Sequence, residues 1–223
     1  MSISDLSTQK PSRYFTRADL QQHHTVDSAW VSIYRDVYDI TAVIRENRTE
    51  PGIDNLLRFI GKDMSHLFNI KTKRPITKNS VLVEELGPKD PNYVLHFPKN
   101  YMHSEKESTT QPWYTNSKLI VGRMSEKEVS VRLINTLTYE EDILVVPIEE
   151  TLNEICERYL KYNFHARSYT WKDIEERVLN MSFNLIKNKI AEDYELLDYL
   201  DITADNRPIP TIFLHFNDDL TEM

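Results

Sequence analysis

Glycine is scarce in this 223-residue chain, occurring only at Gly52, Gly61, Gly87 and Gly122. Neither GxGxxG nor GxxxxGKS/T can be assembled from them, which excludes the glycine-rich loops that cradle nucleotide phosphates. Cysteine is scarcer. Cys156 stands alone, so an internal disulfide and a cysteine-based zinc cluster are both excluded within one chain. Basic charge is short as well: 27 Lys and Arg face 35 Asp and Glu, for a formal charge of −8. Without a basic surplus there is little to displace counterions from a phosphate backbone, and no nucleic acid is expected as a partner. No apolar run approaches the roughly 20 residues needed to cross a bilayer, so no membrane partner is expected. The opening MSISDLSTQKPSRYF is polar and lacks the apolar stretch of a signal peptide. The cytoplasm, or an assembly bathed by it, is the expected location.

What is present is ordinary for a globular protein, with 40% apolar and 28% charged residues. The length suits one large domain or two of about 100 residues. Near the start, Thr16 is placed to cap a short helix running from Ala18 to His23. Ala29 to Ile33 alternates as a strand, with Val37, Ile40 and Val43 packing beneath it. Asp39 and Thr41 open a second helix, and Pro51–Gly52 marks a turn. Ile53, Leu56, Leu57 and Ile60 recur at helical spacing until Gly61 ends the helix. His66, Leu67 and Phe68 fall in one further helical turn.

From about Asn69 to Lys118 the composition changes. Pro75, Pro88, Pro91, Pro98 and Pro112 are interspersed with lysines and with Tyr93, Phe97, Tyr101, Trp113 and Tyr114. Residues 81–122 are expected to form an irregular, ordered connecting segment, with core packing and partner contact equally open for its aromatics. The C-terminal part is clearer. Val129, Val131 and Leu133 alternate as a strand, and Ile143 to Val146 returns as its hairpin partner. Leu152, Ile155, Cys156, Tyr159 and Leu160 make the apolar stripe of a helix. Ser168 to Trp171 gives a third strand, Val178 to Phe183 a short strand or turn, and Ile209 to Phe216 a closing strand. That order is α+β, with one helix covering a mixed sheet.

The first half resembles the cytochrome b5 family. The residues that carry the resemblance are Tyr14–Phe15–Thr16, Trp30–Val31, Val37–Tyr38–Asp39–Ile40–Thr41, and Gly61–Lys62–Asp63 with Phe68, within residues 13–80. Residues 123–223 resemble ubiquitin, with VRLINTLTYEEDILVVPIEETLNEICERY following that β-grasp rhythm and TIFLHF closing it. Joined, with INTLT, SYTWK, LNM and FNDDLTEM, the halves are similar to a family of two-domain proteins of motile cilia. The resemblance implies a cytochrome b5-like domain followed by a ubiquitin-like domain. It also implies a place in the cytoskeleton, in the ciliary axoneme, among radial spoke proteins.

A cytochrome b5 holds its haem iron between two imidazoles. The resemblance places the first in a His-Pro-Gly-Gly turn, where this chain reads Glu46–Asn47–Arg48–Thr49–Glu50–Pro51–Gly52, and no histidine occurs between Trp30 and Ile60. The second is expected after Gly61–Lys62–Asp63, where Ile70, Lys71, Thr72, Lys73 and Lys78 stand. Asn and Arg do not replace imidazole, and Lys must first lose a proton held near a pKa of about 10.4. No cofactor is therefore expected. The alternative is haem b held by His66 with an unusual partner such as Met64 or a lysine. For His66 itself, a buried or half-buried imidazole bonded to backbone is the expected state.

Other candidates weigh toward structure. His23–His24 lacks a third metal ligand and is expected as a solvated pair at a helix end. Cys156 with His165 would be a nucleophile pair, but Cys156 lies on an apolar stripe and is expected as core. The tail from Asp218 to Met223 has no Gly-Gly for conjugation and no EF-hand spacing. Glu140–Glu141–Asp142 is expected as a hairpin tip, and Glu149–Glu150 and Glu175–Glu176 as solvated faces. No catalytic or metal-binding residue is assigned. The expectation is a non-catalytic docking subunit of the motile-cilium axoneme; the alternative is a haem-binding redox regulator there.

Overall fold

A computed structural model describes residues 13–49, 53–71, 112–191, 197, 199–202 and 207–216. The chain divides into two compact units, residues 1–124 and 125–223.

In the first unit, β1 (Tyr14–Phe15) leads into α1 (Arg17–Gln22). The Thr16 side chain accepts from the Asp19 N–H at 3.1 Å and Asp19 accepts from the Thr16 N–H at 2.8 Å, a reciprocal cap that starts the helix. After β2 (His24–Thr25), β3 (Ser28–Ile33) and β4 (Asp36–Asp39) form a hairpin. Next come α2 (Thr41–Glu46), α3 (Ile53–Leu57) and β5 (Lys62–Asp63), and then a 3-10 turn over Ser65–Leu67. Past residues outside the described set, 3-10 turns at Trp113–Thr115 and Ser117–Leu119 precede β6 (Ile120–Met124). The strand order is β1-β6-β4-β3-β2, with β5 parallel on β3.

Period-2 alternation gives this sheet two apolar faces. Ala29, Val31, Ile33 and Tyr38 pack with Ile40, Ile44, Ile53, Leu56, Met64, Leu67, Phe68, Trp113 and Tyr114. On the other face Val37 packs with Phe15 and Leu20, flanked by Trp30 and Met124. Residues 112–124 therefore fold with the first unit, where the sequence reading has them mostly as connecting segment; residues 81–111 lie outside the described set. Gly122 makes the closure of β6 possible. A Cβ there would sit 2.2 Å from the Arg13 carbonyl oxygen and 2.6 Å from the Phe15 ring, so the strands approach only because it is glycine.

In the second unit, β7 (Glu128–Asn135) and β8 (Glu141–Pro147) form an antiparallel hairpin with unbroken register. The helix α4 (Leu152–Tyr159) follows, capped reciprocally by Thr151 and Glu154. Then come β9 (Tyr169–Lys172) and β10 (Thr211–Phe216). The strand order is β8-β7-β10-β9, with β10 parallel to β7 and antiparallel to β9. Leu152, Ile155, Cys156 and Tyr159 bury the helix stripe against Val129, Val131, Leu133, Trp171, Ile212 and Leu214. Each large apolar side chain so buried contributes roughly 1.5–3 kcal/mol. Val178 forms an isolated bridge to Lys172 rather than a strand of its own.

Candidate functional site

The residues that carry the first-half resemblance are spent on structure. The Asp39 carboxylate accepts from the Thr41 N–H at 3.0 Å and from its hydroxyl, and the Thr41 hydroxyl oxygen accepts from the Ala29 N–H at 3.0 Å. Together these bonds pin the start of α2 to β3. Asp63 accepts from the Ser32 hydroxyl at 2.9 Å and from the Ser65 N–H at 3.2 Å, tying β5 and the following turn to the same strand. Tyr38 meets Trp113 edge-to-face at 5.8 Å. Burial, and then the Asp36 charge, push the Tyr38 phenol up to about 12, so it stays protonated at neutral pH.

The residues weighed as iron donors are compared by donor type and direction. Asn47 closes α2, and its amide donates to the Val43 carbonyl at 2.8 Å inside its own helix. Met64 is fully buried in the core. His66 is exposed, not the buried or half-buried residue the sequence suggests, and its ring lies tilted 6.2 Å from Phe59. One side chain in the core and the other in solvent do not make an axial pair. Lys71 belongs to an Asn69 turn, while Thr72, Lys73 and Lys78 lie outside the described residues. The donors that are described do not fit a bis-imidazole haem. Beside them, Ile33, Tyr34, Asp36, Tyr38, Phe68 and Tyr114 line a cavity of about 10 Å³, the room of a single water.

The β3–β4 turn is strained in a way the sequence does not announce. Tyr34 and Arg35 have φ of 48° and 78°, where hairpins of this length favour Asn-Gly. The conformation is over-determined by its neighbours. The Tyr34 N–H donates to the Ser65 hydroxyl oxygen at 2.8 Å, its phenol donates to the Phe68 carbonyl, and Arg35 Nε donates to the Met124 carbonyl at 3.1 Å.

Three expectations need correction. His23 is not a solvated histidine: its ring stacks on Trp30 at 3.5 Å and its Nδ1 lies 2.6 Å from the Ser28 hydroxyl, while His24 is the exposed member. Glu150 is not on a solvated face. It is 3% exposed and clasps Arg158, with N–O distances of 2.7–2.9 Å. Glu149 accepts from the Ser125 hydroxyl at 2.6 Å and the Glu126 N–H at 2.8 Å. Of the acidic triplet, Glu140 lies at the hairpin tip, whereas Glu141 and Asp142 open β8 and Asp142 accepts from the Tyr159 hydroxyl at 3.0 Å. Cys156 is core as expected, its thiol pushed up by burial and held as a poor nucleophile. His165 is exposed and opens the 3-10 turn at Ala166–Ser168. The acidic tail from Asp218 lies outside the described residues. Among the described residues, no group of three His, Cys, Asp or Glu is placed to hold a metal ion, and no helix is long and apolar enough to cross a membrane.

Comparison with known proteins agrees with the first-half motifs. The family described as cytochrome b5-like heme/steroid binding domain matches residues 16–81. The chain is 38% identical to cytochrome b5 domain-containing protein 1 of Homo sapiens over 215 residues, which span 95% of this chain and 92% of that protein. The Xenopus laevis protein of the same name is 35% identical over 215 residues, spanning 95% of this chain and 97% of that one. A stretch of 56 residues is 38% identical to cytochrome b5 of Musca domestica, covering 25% of this chain and 40% of that protein. Among solved structures, cytochrome b5 of Ostreococcus tauri virus 2 overlaps 50% of this chain and 95% of its own. Its sequence identity is 17% and its TM-score 0.26.

Proposed function

This chain belongs to the family of cytochrome b5 domain-containing protein 1, and from that premise we propose that it is a non-catalytic docking subunit of the motile-cilium axoneme. Its partners are other axonemal proteins, those of a radial spoke first among them. The second unit is a ubiquitin-like β-grasp, a reading supported by its hairpin–helix order and by a last strand parallel to the first. No haem is bound and no reaction is carried out. The observation that carries this reading is the absence of any histidine between Trp30 and Ile60, the stretch in which the resemblance places the first iron ligand. The two-domain resemblance is what supports the axonemal location.

The family's heme/steroid description favours one other reading, a haem-binding redox regulator with His66 as a ligand. The visible spectrum of the purified full chain separates the two. A colourless protein is expected. A Soret band that shifts on reduction and disappears in His66→Ala would establish the redox reading instead. Tagging the chain in ciliated cells checks location, with co-sedimentation on detergent-extracted axonemes as the expected result.

A further inference from the structure

The two edges of the second unit's sheet are treated differently. Along β9 the outer edge is covered: Lys172 bridges to Val178, the Leu179 N–H donates to the Trp171 carbonyl at 2.9 Å, and the Asp173 N–H donates to the Arg177 carbonyl at 3.1 Å. Among the described residues β8 pairs with β7 alone.

Register shows what that open edge offers. The Asn135 N–H donates to the Glu140 carbonyl at 2.9 Å and the Ile148 N–H to the Lys127 carbonyl at 3.0 Å. Antiparallel pairs alternate between bonded and non-bonded, so Asp142, Leu144 and Val146 turn their backbone groups to β7. Ile143 and Val145 turn theirs outward. The same two side chains are exposed, at 54% and 49%. Between Asp142 and Pro147 the strand has no charge, proline or bulge, the devices that normally blunt an edge.

We propose that β8 is an addition site for an extended segment of a partner protein, aliphatic at alternate positions and basic at its ends. The inference rests on the docking reading above. Charge selects the occupant. Glu140, Glu141 and Asp142 lie at one end of β8; Glu126, Glu128 and Glu149 lie about the other, against Lys127 and an Arg132 already 3.6 Å from Glu141. A second copy pairing antiparallel through β8 would set its Glu141–Asp142 end against the Pro147–Glu149 end of the first, acid upon acid. A basic strand meets both ends favourably, and its backbone bonds to Ile143 and Val145 supply the sequence-independent part of the affinity.

The test uses the full chain and a short synthetic peptide alternating valine and threonine between lysine pairs. Titration by amide NMR and hydrogen exchange is expected to protect the Ile143 and Val145 amides. Affinity is expected to fall about tenfold when glutamate replaces the lysines, and about tenfold in Val145→Pro, which removes an outward N–H and no bond to β7. Ile143→Lys, a surface change, weakens the same peptide and guards against misfolding of the proline variant. Unchanged Ile143 and Val145 amides, indifference to both variants, or concentration-dependent self-association lost in Val145→Pro each overturns the proposal. Should the peptide fail while the wild-type chain still co-sediments with axonemes, only the edge inference falls. A wild-type chain absent from cilia defeats the docking reading, and the peptide titration then decides the edge alone.

Discussion

In the first unit, polar side chains of the b5-like motifs are bonded within the fold and hold its frame. Asn47 bonds its own helix, Asp39 and Asp63 fasten loops to β3, and a strained Tyr34–Arg35 turn is clamped from three sides. The second unit also buries polar groups in pairs, Glu150 with Arg158 and Asp142 with Tyr159. Where the first unit's edge strands β1 and β2 are only two residues long, the second presents the outer edge of the longer β8 at Ile143 and Val145. The contrast is physical: a buried polar network is stable only when every member is satisfied, whereas an edge strand keeps its hydrogen-bonding capacity in reserve.

The largest effect is expected where the first unit depends on a distant residue. Trp113 is 3% exposed and packs on Tyr38 and Tyr114. Trp113→Ala is expected to cost about 3–5 kcal/mol, read as lost amide protection in β3 and β4. Trp113→Phe sharpens the result. The indole N–H is buried with no hydrogen-bond partner, so its removal offsets part of the lost packing and the cost is expected to be about 1 kcal/mol. Equal losses in the two variants would show that this core is not organised around the indole.

A smaller effect is expected from the buried pair of the second unit. Arg158→Ala leaves Glu150 with its side chain 4% exposed and without its guanidinium. Breaking a buried pair from one side costs about 3–5 kcal/mol, but Arg158 is itself 21% exposed and water can screen the site, so about 2–3 kcal/mol is expected. A double change, Glu150→Leu with Arg158→Met, is expected to recover most of that loss in urea unfolding. If the double variant is as unstable as the single one, the pair contributes more than satisfaction of its own burial.

These residues also show why parts of the molecule were legible and others were not. The cap at Thr16, the alternation along β7 and the stripe of α4 are local patterns, and each element lies within a residue or two of its expected bounds. The lack of a histidine between Trp30 and Ile60 is read directly from the sequence. Pairing of β6 is not local: residues 120–124 close a sheet begun more than eighty residues earlier, and the one sequence trace of that closure is Gly122. The two-residue strands β1, β2 and β5 exist only through such pairing. The burial of Glu150 is not legible locally, because its partner lies eight residues on, across a capped helix start. His66 faces solvent although its neighbours Leu67 and Phe68 are core, which a single helical turn does not reveal.

The smallest effect concerns His23, which separates the two units by pH response. Its imidazole is half-buried between Trp30 and Ser28. Burial, the larger cause, holds its pKa below the ordinary 6.5; Asp39 and Asp19 act in the opposite direction and Arg13 in the same one. Above 6.5 the ring is neutral whether the chain is folded or unfolded, and it contributes no pH dependence. As pH falls below 6.5, the unfolded chain takes up the proton first, so the unfolded state gains and stability declines until the folded ring also protonates. His23→Gln keeps a polar planar group against Trp30 and removes the titration. Hydrogen exchange in β3 is expected to show wild-type protection falling with pH through that window and a flatter profile in the variant. Equal slopes in the two proteins would mean that the ring stays accessible to protons in the folded state and that the stack on Trp30 does not desolvate it.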